Sequence, residues 1–159
     1  MISLRPAEEK DVSVILEFIK DLADYERLSH EVVATEKLLR RSLFGERPVA
    51  EAIIAEYDGT PAGFALFFHT FSTFLAKPGI YLEDLFVRPS LRGKGIGKAL
   101  LRHLAHLAVE RGCGRVEWAV LNWNDPAIRF YEKLGAAPLA EWSVYRLAGS
   151  ALREFTQER

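Results

Sequence analysis

The feature that most constrains the fold is a glycine-rich segment between an apolar run and an amphipathic helix, VRPSLRGKGIGKALL at residues 87–101. The run ahead of it, GIYLEDLFV, is typical of a β-strand, and Pro89 ends it. The helix carries apolar residues at every fourth position from Ile96 to Ala108, and Gly112 follows its end. A strand that leads through glycines into a helix indicates an α/β protein.

The glycines of this segment predict a binding site for phosphate or diphosphate. They let successive amide groups converge, and the helix adds the positive end of its dipole. Two common phosphate motifs do not match. A P-loop would need glycine at Arg88 and Ser or Thr at Gly95, and a dinucleotide motif begun at Gly93 would need glycine at Lys98. A solvated glycine turn is the alternative.

Composition excludes several classes of protein. The chain has 159 residues, 49% of them hydrophobic and 27% charged, which predicts one globular domain over residues 1–159. A formal net charge of -1 argues against nucleic-acid binding. The single cysteine, Cys113, excludes an internal disulfide. The sequence has neither a signal-peptide core nor a run of the ~18 apolar residues that a membrane span needs, so we expect a cytoplasmic protein without a membrane partner.

The remaining patterns predict the element order β-α-α-β-β-β-α-β-α-β, in a single mixed sheet. Thr35 and Asn124 are candidate caps for the second and fourth helices. The predicted elements outside the glycine segment are ISLRPA (strand), DVSVILEFIKDLADYE (helix), EKLLRRSLF (helix), EAIIAEYDGTPAGFALFFHTF (hairpin), RVEWAVL (strand), NDPAIRFYEKLG (helix) and WSVYRL (strand).

Arg92-x-x-Gly95-x-Gly97 resembles the coenzyme A signature of GNAT-type N-acetyltransferases. YLEDLFVRPSLRGKGIGKALL followed by LNWNDPAIRFYEKLGA is similar to the two central motifs of that family. Within the family the sequence looks most like the diamine (spermidine/spermine) and thialysine N-acetyltransferases, through Tyr25-Glu26, YLEDLFV, WNDPAIRFY and EWSVYRL. The resemblance implies a GNAT-like single α/β domain: a mixed central sheet with helices on both faces and splayed central strands.

The resemblance also implies where acetyl-CoA binds. The pantetheine arm would bond to free backbone of one strand, as an added strand would. The diphosphate would rest on the amides of the glycine segment, and the start of the fourth helix would touch the coenzyme. The implied coenzyme-binding residues are Leu85, Phe86, Val87, Arg92, Gly93, Lys94, Gly95, Ile96, Gly97, Lys98, Asn124, Pro126 and Ala127.

Amide formation needs a proton acceptor, because making an alkylammonium neutral at pH ~7.4 costs about 4 kcal/mol. Glu83 and Asp84 are the candidates, and a regular strand would send them to opposite faces unless a bulge redirects one. The resemblance gives the base role to Glu83 and leaves Asp84 as a substrate-side or structural carboxylate. It makes Tyr131 the general acid for the thiolate, whereas the helical pattern alone suits a core aromatic residue.

Tyr25, Glu26, Glu83 and Asp84 are the implied substrate-binding residues, and they suit a small polycationic or lysine-like amine. Alternatives are an acetyltransferase for protein amino groups or an aminoglycoside-like drug, and a non-catalytic acyl-CoA sensor. We expect direct transfer in a ternary complex, no metal and, from the family, a homodimer. His103 and His106 have helical spacing but no neighbouring ligand at metal-site spacing.

Overall fold

The computed structural model describes residues 1–157 and divides the chain into two compact units, Met1–Ala119 and a second that begins at Val120. No helix of the described residues has both the length and the apolar content to cross a membrane. The first unit contains β1 (Ile2–Pro6), α1 (Val12–Tyr25), α2 (Glu36–Phe44), β2 (Glu51–Tyr57), β3 (Thr60–Ser72), β4 (Lys77–Val87), α3 (Ile96–Glu110) and β5 (Val116–Trp118). The second unit contains α4 (Asp125–Lys133) and α5 (Gly149–Phe155).

The five strands form a mixed sheet in the order β1-β2-β3-β4-β5. The first three pairings are antiparallel, and β4 with β5 is parallel. The predicted hairpin is β2–β3, whose turn residues Asp58 and Gly59 have φ angles of 50° and 83°. Positive φ at both positions matches the turn that suits the natural twist of a two-residue hairpin.

Apolar side chains of α1 and α2 pack against one face of the sheet. Ile15 and Phe18 of α1 and Leu43 of α2 belong to one buried cluster with residues of β2, β3 and β4. The ring of Phe18 stacks on that of Phe64 at 5.4 Å between centroids. Helix α3 also contacts β2, β3 and β4 and buries the apolar positions that its four-residue spacing predicted. The predicted helices α1, α2 and α3 are therefore confirmed.

Strands β4 and β5 separate after a short paired segment. Pairing is confined to Ile80–Leu82 of β4 and Val116–Trp118 of β5, whereas β4 continues to Val87. The predicted strand RVEWAVL is thus only partly correct, because residues 119–121 do not extend it. This early separation agrees with the expected splay of the central strands, and the second half of β4 pairs with β3 alone among the described strands.

The sequence prediction is wrong at the C-terminal end. WSVYRL at residues 142–147 forms no strand, and the described chain instead ends with α5, which the patterns did not predict. Trp142, Val144 and Tyr145 are exposed. A β-rich pattern favours an extended backbone, but a strand forms only where another strand supplies hydrogen bonds, and no described strand pairs with this segment. The element order therefore closes with a helix.

Candidate active site

The glycine segment forms a left-handed entrance to α3. Gly93 and Gly95 have φ angles of 81° and 88°, a region that residues with a side chain rarely adopt. Gly95 is the N-cap of α3, and as a glycine it supplies no capping side chain. Its first amide groups therefore remain without the side-chain oxygen that usually binds them. A turn of this kind at a helix N-terminus suits an anion, and the phosphate site that the glycine spacing predicted stays a prediction.

The cations around this loop contact aromatic rings. The Nζ atom of Lys94 lies 5.3 Å from the ring centroid of Tyr57. The guanidinium of Arg92 lies 5.0 Å from the centroid of Tyr25 and 5.9 Å from that of Phe86. Arg92 also donates from Nε to the carbonyl oxygen of Val87 at 3.3 Å. Its side chain therefore extends from the loop toward the ends of α1 and β4.

A β-bulge in β4 decides where the two adjacent carboxylates lie. Leu82 pairs with Phe67 and Asp84 pairs with Leu66, so Glu83 is an extra residue without a register partner. Paired residues share a face of the sheet. Asp84 therefore lies on the face of Leu66, which packs against α1, whereas Leu82 lies on the other face. The bulge that the sequence left open as an alternative is present, and Glu83 is exposed at it.

Glu26, Glu83 and Asp84 form a carboxylate cluster. Burial, the charge of Glu83 and then that of Glu26 raise the pKa of Asp84 to about 7. Burial and then the charge of Glu83 also raise the pKa of Glu26, which caps the C-terminal end of α1. Each of these influences opposes the ionisation of Glu26 or Asp84. The cluster therefore favours holding a proton, or binding a cationic ligand between its carboxylates.

The pKa of Tyr81 responds to the same cluster, which the sequence did not predict. Burial and then the charges of Glu83 and Glu117 raise the pKa of this phenol. Tyr81 pairs with Glu117 across the β4–β5 ladder, one position before the last pair, Leu82 with Trp118. The alternation of side chains along β4 could not predict this role for Tyr81, because Tyr81 lies beside Glu117 only through the register of the parallel β4–β5 pairing.

The comparisons with known proteins agree with this geometry. The family model of the acetyltransferase (GNAT) family matches residues 16–136, which include β4, the glycine loop and α4. The chain belongs to the GNAT acetyltransferase family. It is 38% identical to the thialysine N-epsilon-acetyltransferase of Bos taurus, over 96% of both chains. It is 37% identical to an L-ornithine N5-acetyltransferase of Arabidopsis thaliana, over 94% of this chain and 86% of that one.

A solved structure shows the same fold. An integron cassette protein of Vibrio cholerae superimposes with a TM-score of 0.82 and 28% identity, covering 99% of this chain and 98% of that one. The protein is therefore an N-acetyltransferase with a GNAT-like fold, close to the thialysine and polyamine type, as the sequence motifs implied. Among the described residues, no group of three or more His, Cys, Asp or Glu is arranged to hold a metal ion.

The remaining predicted residues of this acetyltransferase lie on α4, in the second unit. Asn124 caps α4, accepting a hydrogen bond at its side chain from the amide of Ala127 at 3.4 Å. Pro126 occupies the first turn, where its missing N–H costs nothing. The ring of Tyr131 lies 5.6 Å from that of Phe130 between centroids. The capping role of Asn124 is confirmed, whereas the coenzyme and acid roles on α4 stay predictions.

Proposed function

We propose that this acetyltransferase moves the acetyl group of acetyl-CoA to a primary amine on a small polycationic or lysine-like substrate, by direct transfer in a ternary complex. The observation that carries the proposal is the carboxylate cluster of Glu26, Glu83 and Asp84 beside the end of β4. Clustered carboxylates that oppose one another's ionisation bind an alkylammonium favourably, because its charge relieves their repulsion. The relatives named for thialysine and ornithine, both small amines, support this acceptor class.

The glycine loop and β4 fit the two halves of coenzyme A. The amides at the start of α3 would hold the diphosphate, because the N-cap Gly95 supplies no capping side chain and the left-handed glycines turn the backbone there. The backbone of residues 85–87 would hold the pantetheine arm, since β5 ends before it reaches them. The thioester supplies the acetyl group, and the backbone geometry of these residues supports the coenzyme roles that the family resemblance implied.

The reaction must remove two protons in turn from the ammonium nitrogen and supply one to the thiolate, so one proton is released overall. A carboxylate of the cluster takes the proton from the amine, and the neutral nitrogen then attacks the thioester carbonyl. The C–N bond forms, the C–S bond breaks, and the thiolate accepts a proton from the hydroxyl of Tyr131. The nitrogen loses its second proton to water as the amide forms, and water returns a proton to the tyrosinate. The resemblance assigns the base to Glu83, but the pKa of about 7 leads us to propose Asp84 as the acceptor. A base with a pKa near the working pH combines ionisation with sufficient basicity.

A panel of amines tests the proposed acceptor class. Thiol release from acetyl-CoA is followed with thialysine, ornithine, spermidine, a lysine-containing peptide and an aminoglycoside. n-Butylamine serves as the matched control, because it has the alkyl amine but no second charge. We expect kcat/KM to be highest for a free small amine with at least two amino groups and much lower for n-butylamine. Preference for the peptide or the aminoglycoside would overturn the acceptor class, and calorimetric acetyl-CoA binding without thiol release would identify a sensor.

Gly95→Ala is expected to weaken acetyl-CoA binding about tenfold. An added Cβ would meet nothing within 4 Å, so the cost comes from the left-handed φ of 88° and from the resulting shift of the loop amides. Gly59→Ala is the matched control, because Gly59 also has a positive φ of 83° and open space around it but lies in the β2–β3 turn. Calorimetry should show weaker binding for the first variant only. Equal affinities would mean that the loop amides do not hold the coenzyme.

We also propose that the acetyltransferase is a homodimer and that residues 142–147 pair with a second copy. The segment has strand-forming residues, and Val144 and Tyr145 are exposed. A strand-forming segment whose backbone N–H and C=O groups have no partner strand is prone to pair with a strand of another chain. Sedimentation at micromolar concentration should give a dimer for the wild type and a monomer for Val144→Asp. Val49→Asp is the control, since Val49 is also exposed but precedes β2. A monomeric wild type would contradict the proposal.

A further inference from the structure

Arg92 links the coenzyme loop to the wall of the acceptor site. It immediately precedes Gly93, the first left-handed residue of the loop. Its Nε–H group donates to the carbonyl oxygen of Val87, the last residue of β4. Its guanidinium lies over the ring of Tyr25, the last residue of α1. One side chain therefore connects the loop and the adjoining end of β4 to the end of α1, which is far away in the sequence.

The ring under Arg92 stands next to the carboxylate cluster. Tyr25 precedes Glu26, whose pKa is raised by burial and by the charge of Glu83. Arg92 is not among the groups that shift the pKa of Glu26 or Asp84. Its positive charge is directed at aromatic faces, so it leaves the carboxylates available to a cationic substrate. Arginine suits this position because its planar guanidinium can stack on a ring while it donates a hydrogen bond.

We propose that Arg92 is a positioning residue for the amine substrate, which it serves by fixing Tyr25 at the end of α1 beside the carboxylate cluster. This inference rests on the proposed function, and it differs from the counter-charge role toward the diphosphate that the sequence resemblance implied. Tyr25 borders the acceptor site, whereas the guanidinium itself does not touch the reacting atoms. Loss of the contact should therefore weaken amine binding and leave the chemical step nearly unchanged.

The closing experiment is a double-mutant cycle between Arg92→Lys and Tyr25→Leu. Lysine keeps the positive charge but lacks the planar group and the Nε–H donor, and leucine removes the ring. Each variant should raise KM for the best amine of the panel about 3- to 20-fold, with kcat within twofold of wild type. The double variant should be no worse than the poorer single variant, because both changes remove the same contact.

Two further variants sharpen the interpretation. Tyr25→Phe keeps the ring under the guanidinium and should retain most of the amine affinity. Arg40→Lys is the matched exchange at an arginine of α2 that pairs with Glu9 at the surface, and it should leave every constant unchanged.

Three outcomes would overturn the role of Arg92: an unchanged KM for amine in Arg92→Lys, multiplicative effects in the double variant, or an increase confined to KM for acetyl-CoA. The last outcome would restore the counter-charge role. Failure of the proposed function is a separate result, namely a wild type that acetylates no amine of the panel. In that case the role of Arg92 in amine binding fails with it, whereas an active wild type with an additive cycle removes only the role of Arg92.

Discussion

Asp84→Asn is expected to lower kcat/KM for the amine at pH 7 by about 100- to 10,000-fold and to remove a pH dependence centred near pH 7. In the wild type, kcat/KM should rise as the pH increases through about 7, because Asp84 must lose its proton before it can accept one from the amine. Asparagine cannot accept that proton. The remaining activity should follow the small neutral fraction of the amine and rise about tenfold per pH unit up to pH ~9.

Glu83→Gln distinguishes the two candidate bases. The charge of Glu83 is one of the causes that raise the pKa of Asp84. If Asp84 is the base, removing that charge should move the acid limb of the profile below pH 7 and leave substantial activity. If Glu83 is the base, Glu83→Gln should abolish the limb and Asp84→Asn should preserve it. Rate profiles of both variants from pH 5 to 10, with one amine at subsaturating concentration, therefore decide between them.

The same raised pKa has a consequence for stability. A carboxyl group whose pKa is higher in the folded protein than in the unfolded chain binds its proton more tightly when folded. Asp84 therefore lowers the stability of the fold progressively as the pH rises from about 4 through about 7. Asp84→Asn should remove this loss, so urea unfolding of the variant should depend less on pH over that interval. An unchanged pH dependence would mean that Asp84 ionises normally.

The spacing of apolar residues predicted the elements that bury an apolar face. It failed where the formation of a strand depends on a neighbouring strand. Helix α3 followed from apolar residues at every fourth position, and β4 from an apolar run ended by Pro89. Both signals are local. WSVYRL at residues 142–147 carries a similar β-rich signal, but a strand also needs a neighbour, and the local sequence does not specify one. The shortness of β5 has the same origin, because its pairing stops where β4 diverges.

The site was predictable in its residue types and less so in its geometry. Spacing alone located the glycine loop, because left-handed turns before a helix favour glycine at Gly93 and Gly95. The bulge at Glu83 depends on a one-residue register shift against β3, which the sequence of β4 does not specify. The contact between Arg92 and Tyr25 likewise arises from tertiary packing. Family motifs therefore predicted which residues form the candidate site, while the register places Asp84 on the face that packs against α1.

Tyr131→Phe is expected to lower kcat about 10- to 1,000-fold, with KM for acetyl-CoA changed by less than threefold. The substitution removes only the hydroxyl and keeps the ring that lies beside Phe130 on α4. In free side chains a phenol is a weaker acid than a thiol, so a tyrosine is a weak donor to a thiolate and its loss slows the departure of the thiolate without preventing it. Single-turnover measurements with saturating acetyl-CoA should show the same decrease in the transfer step.

Tyr145→Phe is the matched control for this loss, because it removes a hydroxyl from an exposed tyrosine in the same unit. It should leave kcat unchanged. If Tyr131→Phe also keeps the wild-type rate while unfolding normally in urea, Tyr131 is a packing residue and the thiolate takes its proton from water.

If both kcat and unfolding stability fall, comparison with Tyr131→Leu separates the two roles. Leucine loses the ring as well, so a purely structural residue would lose far more stability and activity with leucine than with phenylalanine. A general acid would lose most of its activity already with phenylalanine, because the proton donor is absent from both variants.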